Sequence, residues 1–236
     1  MTNLDSKFWS RYFEVYDYLN ILIPYQNLLN TCINELEIHK NDKTLDVGSG
    51  TGNLSVLFEQ AGAETVGIDS SYEGICIHKA KQKKSNILLG DLTKPLPFKD
   101  GLFDKICSNN VVYTLPEKSR QPLFNELYRV IKPNGIIVVS NIARGFSSSH
   151  IYFEHIRLSF KKNGFLNTLI QGIRLVIPTM KILYYNHLIK KADISRTYRF
   201  VEENEQRDLL AKAGFINIGQ NRRIYSNQAI LNKAYK

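Results

Sequence analysis

Thr44-Leu-Asp-Val-Gly-Ser-Gly-Thr-Gly-Asn-Leu54 decides how this chain of 236 residues is read. Thr44 to Val47 read as a short buried strand, and Gly48, Gly50 and Gly52 form the loop that leaves it. A helix is expected to open near Asn53. Glycine accepts backbone angles closed to other residues and lets a ligand approach the main chain. The first turn of a helix leaves N–H groups unpaired. Strand, loop and helix start therefore make a site for a ligand with polar or anionic ends, and Asp46 stands at its edge. The competing reading is a tight turn that binds nothing.

Dinucleotide sites carry Gly-x-Gly-x-x-Gly, whose third glycine lets the helix pack closely. That position here is Asn53, which argues against a dinucleotide and a nucleotide-dependent oxidoreductase. Working outward, Thr65 to Ile68 read as a second strand ending at Asp69, and Asn86 to Leu89 as a third, followed by Gly90-Asp91-Leu92. Phe103 to Ser108 read as a fourth, ending at Asn109, and Gly135 to Ser140 as a fifth. Segments of helical length separate them: Asn53 to Gln60, a stretch after Ser71, and Ser119 to Val130. This alternation predicts a parallel sheet with helices on both faces, in which ligands sit at the carboxyl ends of the strands. Asp46 with Gly48, Asp69, Asp91 and Asn109 all mark that end. Asp69 can accept hydrogen bonds from both hydroxyls of a ribose, or it can cap the following helix, and the two roles can coexist through Ser70 or Ser71.

Leu45–Leu54, Val66–Ser70, Gly90–Phe98, Phe103–Pro116 and Leu127–Val139 resemble the successive motifs of the class I S-adenosyl-L-methionine (SAM) methyltransferases. They are most similar to the branch that includes the ubiquinone and menaquinone methyltransferases and many small-molecule methylases. The resemblance covers about Leu36 to Asn141, and more loosely Asn204 to the end. It implies an α/β fold: a doubly wound, mostly parallel seven-stranded sheet with a helical insertion between strand 5 and the last helix. It implies SAM as cofactor and S-adenosyl-L-homocysteine as product. Asp46, Gly48, Gly50 and Gly52 would lie against the methionine part, Asp69 and Ser70 at the ribose, Asp91 and Leu92 at the adenine, and Asn109 near the methyl group. Relatives often carry Glu-His or His-His before Leu115. Here Tyr113 and Thr114 stand there, and that base is missing.

The closing elements of such a fold are legible as a helix from Glu203 to Lys212, a strand from Ile216 to Ile218 and a last strand around Gln228 to Lys233. Residues 1–140 and 202–236 thus make the SAM-binding domain. Its N-terminal helical cap is expected over Ser6 to Leu19 and from Tyr25 to Leu36. Asp5 or Ser6 is a candidate cap of the first helix, whose aromatic face of Phe8, Trp9, Tyr12, Tyr16 and Leu19 either packs on the domain or closes over the ligand.

Residues 141–201 are the insertion, and they carry the charge. The whole chain has net charge +9, and from Arg144 to Arg199 ten Lys or Arg, Arg196 among them, face only Glu154 and Asp193. A first helix is expected from about Ser149 to Lys162, ended by Asn163-Gly164. Beyond it Leu166, Leu169, Ile170, Ile173, Val176, Ile177, Met180, Leu183, Tyr184 and Leu188 recur at helical spacing, with Pro178 expected to break or kink the run. The stripe is expected to pack on the sheet domain. The segment could also form a lid over an apolar substrate, or a basic, apolar surface on an anionic membrane or lipid. Nucleic acid is disfavoured, because the charges sit among large aliphatics and no added RNA-binding module is recognisable.

No apolar run reaches the ~20 residues of a membrane span, and Met1 to Lys7 do not begin a signal peptide. Cys32, Cys76 and Cys107 read as buried reduced thiols, and no Cys/His spacing suggests a metal. A cytoplasmic protein is expected, peripheral on the inner face of the membrane if the insertion binds lipid. The leading function is methyl transfer from SAM to an N, O or C atom of an apolar or amphipathic small molecule. A non-catalytic SAM-binding scaffold and an RNA methyltransferase are the alternatives. Tyr113, His150 and His155 are candidate catalytic groups, and Tyr12, Tyr16, Tyr113 and Tyr152 candidate substrate contacts.

Overall fold

The computed structural model describes residues 6–82, 86–194 and 199–236. Asp5, one of the two cap candidates, and Arg196 lie outside them. The chain begins with α1 (Ser6–Tyr16), a short 3-10 turn (Asp17–Ile21) and α2 (Ile23–Leu36). Then β1 (Lys43–Val47), α3 (Asn53–Gln60), β2 (Glu64–Asp69), α4 (Tyr72–Lys81) and β3 (Asn86–Leu89) alternate. They are followed by β4 (Phe103–Asn109), α5 (Glu117–Val130) and β5 (Ile131–Ile142). The insertion is α6 (Ser148–Ile194), and α7 (Glu205–Ala213), β6 (Arg222–Ile224) and β7 (Ala229–Tyr235) close the fold.

The seven strands lie in the order β3-β2-β1-β4-β5-β7-β6. The pairs among β1 to β5 are parallel, while β7 runs antiparallel to both β5 and β6. Consecutive residues of β1, β4 and β5 are buried, so both faces of the sheet are covered. Unbroken apolar runs such as Ile136-Ile137-Val138-Val139 follow from that double burial. The strand order reverses between β1 and β4, and it is at such a reversal that a crevice opens beyond the carboxyl ends.

Four expectations need correction. The strand expected at Ile216–Ile218 is reduced to a single bridge from Ile216 to Tyr235, and β6 forms at Arg222–Ile224 instead. Cys76 is exposed, whereas Cys32 and Cys107 are buried as expected. Pro178 leaves α6 unbroken, and the non-helical residue is Gly164, at φ 77° and ψ 173°. Gly164 divides the insertion into arms 148–163 and 165–194. The arms turn back on each other, for Ser159 Oγ and Thr168 Oγ1 are 3.0 Å apart, and Tyr152 faces Thr179.

The fourth correction concerns the apolar stripe, which does not pack on the sheet domain. Nine of its ten residues are exposed and Leu188 is half-buried. The second arm instead buries the opposite face, Thr168, Leu175, Ile182 and Ile189, spaced seven residues apart. Near its base Tyr185 packs on Phe8 and Tyr12 of α1, with ring centroids 5.6 and 5.4 Å apart.

Candidate active site

The glycine loop leaves β1 through three residues of positive φ, Gly48 at 70°, Gly50 at 50° and Gly52 at 79°. At two of them the reason for glycine is also spatial. A Cβ on Gly48 would overlap the Val111 side chain, and one on Gly52 would overlap the His78 ring. Backbone and neighbours therefore both exclude a side chain, and the loop passes close under whatever lies above it.

Side chains from the neighbouring strand ends hold this loop. Asp69 Oδ2 accepts from Gly50 N at 2.8 Å, and its Oδ1 accepts from Ser71 N at 2.8 Å. The cap of α4 is Ser71 rather than Asp69, since its Oγ accepts from Gly74 N at 3.1 Å. Asp46 Oδ2 accepts from Ser55 N at 3.0 Å and from Ser55 Oγ at 2.6 Å. Beyond β4, Asn110 takes φ 60° and accepts from Ile142 N at 3.1 Å through its Oδ1. Asn141 accepts from Val112 N at 2.8 Å and donates to Gln206 Oε1 at 2.7 Å. The turn that carries Tyr113 is thereby tied to β5 and α7.

These elements enclose one cleft with about 160 Å³ open to water-sized spheres, roughly ten times what one water needs. Asp46, Gly48, Gly50, Asp69, Ser70, Asp91, Leu92 and Asn109 line its floor. Tyr12, Tyr16 and Tyr113 line it as well, together with Trp9, Leu19 and Thr114. Gly52 lies beneath this floor, packed on His78. Asp91 Oδ1 accepts from Thr93 N and Oγ1, which holds its carboxyl below the usual range.

Three candidates lie elsewhere. His150 is exposed, in a shallow surface depression with Phe153, Glu154 and Arg157. His155 is buried, and its Nδ1 accepts from Ile23 N at 3.2 Å at the start of α2, so it serves the backbone there. Tyr152 sits between the arms of the insertion. All three fall on the first arm of α6 outside the cleft lining, although Tyr152 lies within electrostatic reach of Tyr12 and Tyr225 in the wall.

The cleft also gathers residues that the sequence did not single out. Phe13 lies over the loop, and a Cβ on Gly50 would be 3.1 Å from its ring. Tyr25, Phe146, Asn186 and Tyr225 complete the wall. Tyr12 donates to Asn186 Oδ1 at 3.1 Å, which ties α1 to α6. Thr51 and Lys81 both donate to Asp17 Oδ1, at 2.7 and 2.8 Å, and fasten the 3-10 turn over the loop. Asn53, the residue that spoke against a dinucleotide, accepts from Lys81 at 2.7 Å and Asn20 at 3.0 Å. Phe13 was within reach of the aromatic count of α1. Tyr225 gave no signal, because it belongs to a left-handed turn, Tyr225-Ser226-Asn227, with φ 54°, 55° and 64°.

Burial pushes the hydroxyls of Tyr12, Tyr25, Tyr113 and Tyr225 well up, and that of Tyr16 to about 12. At neutral pH this wall offers neutral donors and acceptors, not phenolate bases.

Residues 45–139 match the family model described as a methyltransferase domain. With the sheet order above, that match gives the chain the fold seen in class I SAM-dependent methyltransferase structures. It is 30% identical over 161 residues to malonyl-[acyl-carrier protein] O-methyltransferase of Buchnera aphidicola, covering 68% of this chain and 63% of that protein. It is 28% identical over 138 residues to demethylmenaquinone methyltransferase of Oceanobacillus iheyensis, covering 53% and 56%. The chain spans about half the length of the curated relatives it matches. A crystal structure of a SAM-dependent methyltransferase from Thermotoga maritima shares the fold, with TM-score 0.62 and 16% identity over 98% of this chain and 99% of that one.

The cleft suits that family's cofactor. The glycine floor admits close approach, Asp69 lies at the end of β2 where a ribose carboxylate is wanted, and Asp46 lines the cleft with a buried carboxyl. Burial pushes Asp46 up to about 6, the Ser55 bonds oppose the rise, and the charge of Asp69 adds to it. If Asp46 pairs with the cofactor's ammonium, it does so only when ionised. Cofactor affinity is then expected to rise from pH 5 to pH 7 in calorimetric titration, and Asp46→Asn should flatten the rise and weaken binding throughout. The stability sign is opposite. The folded pKa lies above the ordinary 3.8, so the folded state holds the proton more tightly. This group's own contribution makes the free protein less stable as pH rises from about 4 to 6, by on the order of 2–3 kcal/mol. Buried His78, whose pKa burial lowers to about 4, contributes in the opposite direction. Asp46→Asn should therefore raise the melting temperature at pH 8 while it lowers cofactor affinity.

Proposed function

We propose that the protein moves the methyl group of SAM by in-line displacement to an N, O or C atom of an apolar or amphipathic small molecule. The observation that carries this reading is the aromatic lining of the cleft. Trp9, Tyr12, Tyr16, Tyr25, Tyr113 and Tyr225 surround a space continuous with the glycine floor. Bound SAM supplies a methyl group already activated by its sulfonium. The chain has to align the acceptor and exclude water, and alignment alone can contribute about 7–11 kcal/mol. Phe13 and the 3-10 turn cover the loop from above. The aromatic faces hold an apolar body, and the neutral tyrosine hydroxyls orient its polar atom by hydrogen bonds. A general base is needed only for an acceptor that stays protonated until attack. The demethylmenaquinone methyltransferase among the relatives supports an acceptor with a quinone-like ring.

The test is transfer of label from methyl-labelled SAM to a panel of quinols, lipid head-group amines, small phenols and RNA. Label is expected in an apolar or amphipathic small molecule. Tyr113→Phe and Tyr16→Phe should lower kcat/KM for that acceptor about 2- to 13-fold, the worth of one hydrogen bond, with SAM affinity unchanged. Label in RNA alone overturns the acceptor class. No label anywhere, despite measurable SAM binding, would leave a non-catalytic SAM-binding scaffold.

A further inference from the structure

The two arms of α6 bury the faces that they turn to each other, as the Ser159–Thr168 contact shows. Their outer faces are apolar and open. Phe153 on the first arm, and Phe165, Leu166, Ile173, Ile177 and Met180 on the second, are each 66–70% exposed. On the second arm these residues fall on one side of the helix, opposite Thr168, Leu175 and Ile182. From 160 to 167 every residue is exposed, so the turn at Gly164 projects from the body. Soluble monomers rarely leave so much contiguous apolar surface open.

The charge of the hairpin indicates what covers it. Between His155 and Ala192 there is no Asp or Glu, while seven Lys or Arg are present. Lys161 and Lys162 are exposed at the turn, beside Phe160 and Phe165. Their stems can lie along apolar surface while the ammonium groups reach outward. Apolar side chains on the outer faces of both arms suit a surrounding medium better than a single docking partner, which would cover one side. Among the described residues no helix is long and apolar enough to cross a membrane.

We propose that residues 148–194 form a membrane-docking hairpin, whose turn and outer faces enter the headgroup layer of a bilayer containing anionic lipid while Lys161 and Lys162 meet its phosphates. Basic residues draw a protein to such a surface, apolar ones hold it there, and salt weakens the first effect. This proposal stands apart from the methyl-transfer reading, since none of the residues named lines the cleft.

The experiment is co-sedimentation of the full chain with vesicles of phosphatidylcholine alone and of equal parts phosphatidylcholine and phosphatidylglycerol. Binding is expected to the mixed vesicles at low salt, weakened about tenfold or more at high salt or with neutral vesicles. Two double variants, Phe165→Glu with Leu166→Glu and Lys161→Glu with Lys162→Glu, should each lower binding about tenfold or more. Unchanged helical circular dichroism and SAM affinity would show that both remain folded. Absence of binding to the mixed vesicles at low salt overturns the proposal, as does binding that neither variant reduces. So does a self-associated protein in sedimentation velocity that Phe165→Glu with Leu166→Glu makes monomeric, with no vesicle binding, for the hairpin would then be covered by a second copy.

Discussion

Asp69→Ala is expected to weaken SAM binding by about 10²- to 10⁴-fold. Asp69 ends β2, is 9% exposed, and uses both oxygens on backbone donors, Gly50 N and Ser71 N. Each carboxylate oxygen can accept a further bond, and those lone pairs line the cleft. The substitution thus removes two acceptors for ribose hydroxyls and the brace that fixes the glycine loop. Hydrogen bonds to a charged group contribute about 1.5–3 kcal/mol each, so losing two gives the range above. Asp69→Asn keeps one carbonyl oxygen and should fall between. Calorimetric titration reads the affinity directly. A melting temperature that drops while SAM affinity stays the same would leave Asp69 a brace only and overturn the ribose assignment.

The largest effect on stability is expected at Arg120, which lies outside the cleft lining and braces the turn that forms part of it. The residue is 1% exposed. Its guanidinium donates to Leu115 O at 3.3 Å, Arg199 O at 2.6 Å and Glu205 Oε1 at 2.5 Å. Three segments far apart in sequence meet there: the turn after β4, the stretch that returns from the insertion, and the start of α7. Removing one partner of a buried pair costs about 3–5 kcal/mol when the other charge is left alone. Glu205 keeps Arg199 at 3.2 Å, so the lower end applies, and two carbonyls lose their donor. For a chain of this size Arg120→Ala should lower Tm by roughly 10 °C. Arg120→Met with Glu205→Gln removes both charges but leaves two carbonyls without a donor, so it should recover only part of the loss. Scanning calorimetry of the three proteins separates these terms. Equal Tm for wild type and Arg120→Ala would show that the pair contributes nothing net.

What was legible in the sequence was whatever the backbone imposes locally. Thr44–Leu54 gave strand, loop and helix start because three alternating glycines leave few other conformations, and α3 begins at Asn53 as expected. The acids at the ends of β1, β2 and β3 reach the same cleft because parallel strands bring their carboxyl ends together. The insertion was misread for the opposite reason. Apolar residues lie on more than one side of the second arm, and periodicity finds a stripe without saying whether protein or something else covers it. Leu175, Ile182 and Ile189 make a narrower line that the broader stripe concealed. Asn163-Gly164 is legible as the end of the first arm and is where the helix is interrupted, whereas Pro178 leaves the second arm unbroken because a helix can continue through a proline when its neighbours absorb the lost bond. His150 and His155 drew notice as chemical types, but which way a residue on a long helix points depends on a rotation that sequence does not supply. Tyr225 reaches the wall through a left-handed turn of non-glycine residues, which no composition signals.

The tyrosine wall has a consequence for what the protein can accept as well as for how it reacts. Phenols kept un-ionised by burial cannot take a proton from an incoming molecule at neutral pH. On the methyl-transfer reading proposed above, an acceptor that meets only this wall has to arrive with its lone pair already free. Selection among similar molecules then falls partly to their own acidity, decided in bulk water before entry, so that of two acceptors of the same shape the one that sheds its proton more readily is the better customer.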